Sequence, residues 1–213
     1  MNETIRRVLV WPGQLRLAHG LIALSTLALI ATGLLIRHTP SVADAASRLH
    51  GMMAALLTAG LLLRVWLLFT DKTSGQWRAL IPGRGQIDAM LDMLKFYISF
   101  GRSRLPAWHA HNPFWTPFYA IILLLLILMA LSGYVMPSRP LVFSLVYLPA
   151  LHRGVATLIL IFTAAHFVAS LLHDLKGEGS DISGIINGYR IFILRREKSD
   201  QIAPVKFFRK DGK

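Results

Sequence analysis

Five of the chain's eight histidines, His19, His50, His152, His166 and His173, lie in or at the ends of long apolar runs. Imidazole is a metal ligand and a proton carrier. Inside a membrane span, a single histidine can equally be a polar group hydrogen-bonded to a neighbouring helix. Spacing separates these readings. His152 and His166 are 14 residues apart, about 21 Å along a helix at about 1.5 Å per residue. Fourteen steps of about 100° return to within about 40° of the starting direction. Both imidazoles are therefore expected on one helix face at two depths.

The elements that position them are membrane helices. Of the 213 residues, 54% are hydrophobic and 16% charged, against roughly 45–50% and 25% in globular chains. Charge-free windows run over Leu17–Ile36, Leu49–Leu63, Leu105–Ser138 and Gly154–His173; about 20 apolar residues cross the hydrocarbon layer. The expected architecture is all-α, an integral membrane four-helix bundle with helices at about Leu17–Ile36, Leu49–Phe69, Phe114–Met136 and Leu151–His173. Gly33 and Pro40 are expected to close the first helix, Asp71 to follow the second and Pro137 the third. The first run has no small-residue cleavage site after a short apolar region, so it reads as a retained helix. Trp11, Trp66, Trp108, Trp115, Tyr134 and Tyr147 fall near the expected membrane boundaries, where amphipathic rings settle.

The net charge of +12 is placed asymmetrically. With both termini cytoplasmic, the inner side receives Arg6, Arg7, Arg16, the basic 71–112 loop and the stretch from Lys176 to Lys213. The outer side keeps Arg37, Arg48, Arg139 and Arg153. That is the positive-inside pattern, with contact to anionic lipid, and it argues against nucleic acid as the partner. The outer connections are expected to be about a dozen residues each. The inner loop contains Ile87–Phe100, whose apolar positions, with Asp88, Asp92 and Lys95 on another face, predict a helix lying in the interface. A transmembrane domain is expected over 1–190 and a basic, irregular cytoplasmic tail over 191–213. No internal repeat is evident.

Chain direction then pairs the histidines. The first helix runs outward with His19 near its inner start, and the second runs inward with His50 at its outer start. The fourth runs inward, with His152 near the outer face and His166 deeper. Two opposed pairs result, His19 with His166 and His50 with His152, each a candidate bis-imidazole set for a haem iron held between helices. Zinc fits less well, because two histidines do not complete a tetrahedral site. The chain has no cysteine, which excludes thiolate metal sites, iron–sulfur clusters, disulfides and covalently attached c-type haem. Arg16 and Arg64 are placed to hold propionates of the inner haem, and Arg48 and Arg153 those of the outer; interfacial snorkelling explains each of the four equally well.

These residues resemble the prokaryotic cytochrome b561 family, which includes the cytochrome b subunits of nickel–iron hydrogenases and related formate dehydrogenases. V-W-P-G-Q-L-R-L-A-H at 10–19 is similar to the family's opening, and R-L-H-G at 48–51 to its second-helix histidine. H-N-P at 111–113, before an apolar run ending in S-G, is similar to the third-helix entry. His152 and His166, followed by G-I-I-N-G at 184–188, resemble the fourth helix and its exit. Gly20 departs from the pattern, where the family usually carries tryptophan.

The resemblance implies a dihaem b-type cytochrome of a bacterial inner membrane, carrying two haem b. It would move electrons between a quinone, menaquinone or ubiquinone, and a partner catalytic or cytochrome subunit of an oxidoreductase complex. It also implies a quinone site near Asn112 and His111, with Asn112 as counterpart of an asparagine that contacts the quinone in the formate dehydrogenase branch. Asn112 before Pro113 is equally a natural helix cap, and His111 is placed to hand over protons near neutral pH. Within the family, a stand-alone superoxide or quinone oxidoreductase is the alternative. A small proton-coupled transporter would also carry intramembrane histidines, but the expected spans hold no Asp or Glu and no broken helices. Two readings remain open for His109 and His173, a solvated or structural histidine and a proton-handling one.

Overall fold

A computed structural model describes residues 3–136, 142–143, 146–176 and 181–195. The expected positions Pro137 and Arg139, and the tail from 196 onward, lie outside the described residues. The chain is mostly helical, and four of its helices are long and apolar enough to cross a membrane. They are α1 (Gly13–His38), α2 (Ala43–Thr70), α4 (Thr116–Val135) and α5 (Leu148–Lys176). Between α2 and α4 lies α3 (Ile87–Ile98), and after α5 comes the short α6 (Asp181–Asn187). Such a chain is a multi-pass membrane protein. Many large apolar side chains point outward, among them Leu24, Leu62, Phe69, Leu124 and Ile161, as expected where the surroundings are lipid rather than water.

α1 packs mainly on α2, α4 on α5, and α2 joins the two pairs through α4. The core sits at mid-height, where Leu57 and Leu61 of α2 meet Leu126 of α4 and Val155 and Ile159 of α5. Ile22 and Leu29 of α1 close over it. α1 and α2 approach closely at Gly60, where a Cβ would lie 3.0 Å from Leu21 Cβ and 3.2 Å from the Ile22 amide nitrogen. Small residues let helices approach this closely in lipid, where packing rather than the hydrophobic effect holds them together.

The helix ends depart from expectation in two places. α1 continues through Gly33 to His38, and only residues 39–42, including a turn of 3₁₀ helix at Pro40–Val42, separate it from α2. The expected dozen-residue connection is therefore mostly helix. An isolated glycine does not stop a helix that is packed along its length, whereas Pro40 starts a new turn, since its missing N–H costs nothing there. Between α4 and α5 the described residues include a minimal hairpin of β2 (Val142–Phe143) and β3 (Val146–Tyr147).

The chain from Arg190 is not irregular where it is described. β4 (Tyr189–Arg195) pairs antiparallel with β1 (Glu3–Leu9), from Glu3 opposite Arg195 to Leu9 opposite Tyr189. The first and last described strands are thus joined at one end of the bundle, here called the terminal end. The opposite end, with the α1–α2 turn and the β2–β3 hairpin, is the connector end. The G-I-I-N-G stretch explains how the chain returns. Gly188 adopts φ +92°, donates its N–H to Gly184 O (2.8 Å) and accepts the amides of Val10 and Trp11 (2.9 and 3.0 Å) on its own carbonyl. A Cβ there would stand 2.8 Å from the Trp11 carbonyl oxygen, so conformation and space both require glycine.

α3 matches the expected Ile87–Phe100 segment closely. It buries Met93 and Phe96 completely and exposes Ile87, Leu91 and Ile98. One apolar stripe faces the protein and another faces outward, as suits a helix at a membrane surface.

Candidate cofactor and redox site

The histidines occupy two levels on either side of the mid-height core. At the connector end, His50 in the second turn of α2 and His152 in the first turns of α5 lie close enough to interact electrostatically. At the terminal end, His19 of α1 and His166 of α5 do the same. Chain direction leads to the same two pairings, and His173 also lies within electrostatic reach of His166. On α5, Val155 and Ile159 lie between the histidine levels, so the levels are separated by a dry layer.

The connector-end imidazoles are fixed by side chains of the preceding helices. His50 Nδ1 lies 2.8 Å from Thr32 Oγ1 of α1, and His152 Nδ1 lies 2.9 Å from Ser132 Oγ of α4. In both cases the next residue is glycine. A Cβ at Gly33 would stand 3.8 Å from His50 Cε1, and one at Gly133 3.4 Å from His152 Cε1. At the terminal end, His166 stacks on Phe162 (centroids 5.8 Å, planes 4° apart) and meets Trp115 and Tyr119 edge-on. His19 follows the fully buried Ala18, which packs with Leu15 and Leu67.

The arginines divide by level. Arg16 donates from Nη1 to the Ile186 carbonyl of α6, and Arg64 donates from Nη1 to Gly75 O (2.7 Å). Both stand at the terminal end, and a guanidinium has five N–H groups, so each keeps donors beyond its one backbone bond. Arg48 and Arg153 are exposed at the connector end.

Asn112 and His111 face different neighbours. His111 meets Trp11 edge-on (5.0 Å) and lies 5.7 Å from the Tyr119 ring. Burial, with the positive Arg64 nearby, pushes its pKa down to about 4, so at pH 7 it is neutral and offers a lone pair rather than a stored proton. Asn112 is buried. Its Oδ1 accepts the Phe114 amide (3.0 Å), the bond of a helix-start cap, and its Nδ2 donates to Tyr97 OH (3.2 Å).

Asn112 thereby joins a cluster that spacing alone did not reveal. Trp115 Nε1 donates to the same Tyr97 hydroxyl (2.7 Å), which stands 2.8 Å from His173 Nε2. His173 Nδ1 reaches Asp181 (3.1 Å), and Asp181 pairs with Arg190 (2.8 Å). Arg190 also donates to the carbonyls of Trp108 and His109. His173, open between two readings in the sequence, is only 6% exposed and ties α3, α4, α5, α6 and β4 together. His109 stacks on Phe192 (5.9 Å, 11°). The signal that could have singled out His173 is its seven-residue step from His166, which keeps it on the inward stripe of α5.

The depressed His111 pKa gives a pH prediction. The unfolded imidazole takes up a proton near pH 6.5, while the folded one resists until about 4. Stability is therefore unaffected above about pH 6.5 and falls as pH drops from there towards 4, because the unfolded chain binds more protons. Thermal melts in detergent should show a decline over that window that is shallower in His111→Phe. Equal slopes in the two proteins would mean that His111 does not contribute.

A cofactor can be tested against these donors. Among the described residues, no group of three or more His, Cys, Asp or Glu side chains converges on a metal position. A bare ion would find two ligands, whereas a haem iron already held by four porphyrin nitrogens needs two more, which the two imidazoles at each level would supply. The residues present fit haem. No curated protein and no solved structure matches the chain. A family model described as prokaryotic cytochrome b561 matches residues 10–188, a span that contains all four paired histidines and the Gly184–Gly188 return. The chain belongs to the prokaryotic cytochrome b561 family and is a multi-pass membrane b-type cytochrome of electron transfer.

Proposed function

We propose that the chain carries two haem b groups and passes electrons between a quinone and a partner oxidoreductase or cytochrome subunit in a bacterial inner membrane. What supports this reading is that His50 lies within electrostatic reach of His152, and His19 of His166, at two levels of one bundle. Bound haem would supply a one-electron iron couple, held by His50 and His152 at one level and by His19 and His166 at the other. The protein's part is to hold each iron at a set depth and to keep water out of the layer between them. Arg16 and Arg64 offer N–H donors to propionates at the terminal end, and Arg48 and Arg153 at the connector end. The basic residues of the terminal end support a cytoplasmic orientation for it, against anionic lipid.

The quinone, menaquinone or ubiquinone, belongs at the terminal end, beside His111 and Asn112. Neutral His111 suits a carbonyl and hydroxyl partner that changes protonation on reduction. The Asn112 amide can serve a quinone carbonyl by exchanging its Tyr97 partner. The test is a reduced-minus-oxidised visible spectrum of the purified protein, followed by reduction with a quinol analogue in the parent and in Asn112→Ala. The expected result is b-type bands reduced by quinol, and a several-fold slower reduction in Asn112→Ala with both haems bound. Absence of haem bands would refute the cytochrome reading. Reduction at the parental rate in Asn112→Ala, with both haems bound, would move the quinone to the connector-end haem.

A further inference from the structure

The two connector-end histidines share one arrangement that follows from the hydroxyls opposite them. Thr32 Oγ1 lies 2.7 Å from Ala28 O and 3.2 Å from Leu29 O within its own helix, and 2.8 Å from His50 Nδ1. Ser132 Oγ lies 3.1 Å from Met129 O and 2.9 Å from His152 Nδ1. A hydroxyl has one proton and two lone pairs. If that proton pointed at the imidazole, the contact of each hydroxyl oxygen with its helix carbonyl, 2.7 Å at Thr32 and 3.1 Å at Ser132, would set lone pair against lone pair. If it points back along the helix, the imidazole must supply the proton of the second contact. The geometry therefore points to Thr32 and Ser132 as positioning residues that hold His50 and His152 as Nδ1–H tautomers, each turning its Nε2 lone pair towards the haem iron between them.

Three further observations support this assignment. Both hydroxyl residues are buried, Thr32 at 3% and Ser132 at 5% exposure, so water does not substitute for either bond. Each is followed by a glycine beside the imidazole Cε1, the carbon between the two ring nitrogens, so the ring edge packs against backbone. The arrangement also occurs twice, with Thr32 18 residues before His50 and Ser132 20 before His152, each hydroxyl on the helix preceding its histidine. A ring nitrogen that donates to a fixed acceptor makes the other nitrogen a better and better-aimed ligand.

This inference rests on the haem reading above, and its test separates the two. The full-length protein is purified with Thr32→Val, Thr32→Ser and Ser132→Ala, with folding followed by circular dichroism. Haem content and the midpoint potential of each haem are then measured. The connector-end haem is identified as the one missing from His50→Ala. Thr32→Val keeps the shape and loses the hydroxyl. Losing the Nδ1–H acceptor makes the imidazole a weaker donor to ferric iron, so the ferric-to-ferrous ratio of that haem should fall about tenfold at a given ambient potential. That corresponds to an upward shift of about 59 mV for one electron. Its retention should weaken about 10–100-fold, and the terminal-end haem should be unchanged. Ser132→Ala should act in the same direction, and Thr32→Ser should restore the parental values. Where one variant fails to accumulate, the other carries the test. Parental potential and retention in a folded hydroxyl-free variant would overturn the assignment, as would a Thr32→Ser protein indistinguishable from Thr32→Val. A parent protein without haem would instead overturn the functional reading.

Discussion

Replacing His50 or His152 with alanine is expected to leave a folded protein with one haem per chain where the proposed parent complement is two. Replacing His19 or His166 should remove the other haem. A bis-imidazole iron deprived of one axial ligand loses half of its protein coordination, and at either level the lost ligand has no third histidine, cysteine or carboxylate converging to replace it among the described residues. The two sites are separable because the Leu57, Leu61, Leu126, Val155 and Ile159 layer stands between them. Collapse at one level therefore has no direct path to the other. The measurement is a pyridine haemochrome assay per chain, with a spectrum of the remaining haem in each variant. A parent ratio of one, or two haems retained in His50→Ala, would refute the pairing.

His173→Leu is expected to destabilise the protein by about 2–4 kcal/mol while leaving both haems bound. The Tyr97 hydroxyl accepts two N–H donors, from Trp115 and Asn112, and so directs its own proton to His173 Nε2. Burial raises the Tyr97 pKa to about 12, so this proton stays in place at any working pH. Leucine would leave the tyrosine proton and one Asp181 oxygen without their partner. Each buried group stranded in this way costs about 1–3 kcal/mol, with the Asp181 share at the low end because that side chain is 20% exposed. For a chain of this size the midpoint of thermal unfolding should fall by roughly 5–15 °C, read by circular dichroism in detergent. A variant melting within about 2 °C of the parent would mean that the cluster contributes nothing to stability. Loss of a haem in the same variant would mean that His173 acts on the cofactor and not on the closure of the terminal end.

Much of the site was legible because the membrane simplifies the problem. A span must be helical to satisfy its own backbone, so the spacing of His152 and His166 translates directly into a shared face and two depths. Alternating chain direction then leads to the proposed partners. The same logic made α3 readable, since its apolar positions could serve only a helix lying along a surface. The helix ends were less legible. Gly33 and Pro40 look alike as punctuation, yet packing carries α1 past the glycine and only the proline starts a new turn. The [S/T]-G pairs at 32–33 and 132–133 were visible as letters, but nothing in their spacing says which imidazole each hydroxyl meets.

The sequence by itself determined the class of the protein and its four spans, and its histidine spacing carries the proposed pairing. These depend on helical period and on the exclusion of charge from hydrocarbon, which are local properties of a run of residues. Only the tertiary structure decided that Glu3–Leu9 pairs with Tyr189–Arg195, because strands so far apart in the chain, carrying Arg6, Arg7 and Arg190, read separately as solvated basic tails. It also decided that Tyr97, Asn112, Trp115, His173, Asp181 and Arg190 form one cluster. Those six residues come from five separate elements and loops, and no period or motif links them. Asn112 and His173 stand out in their own segments but not as partners, and the cost of burying any of the six alone is what makes their meeting a property of the folded bundle.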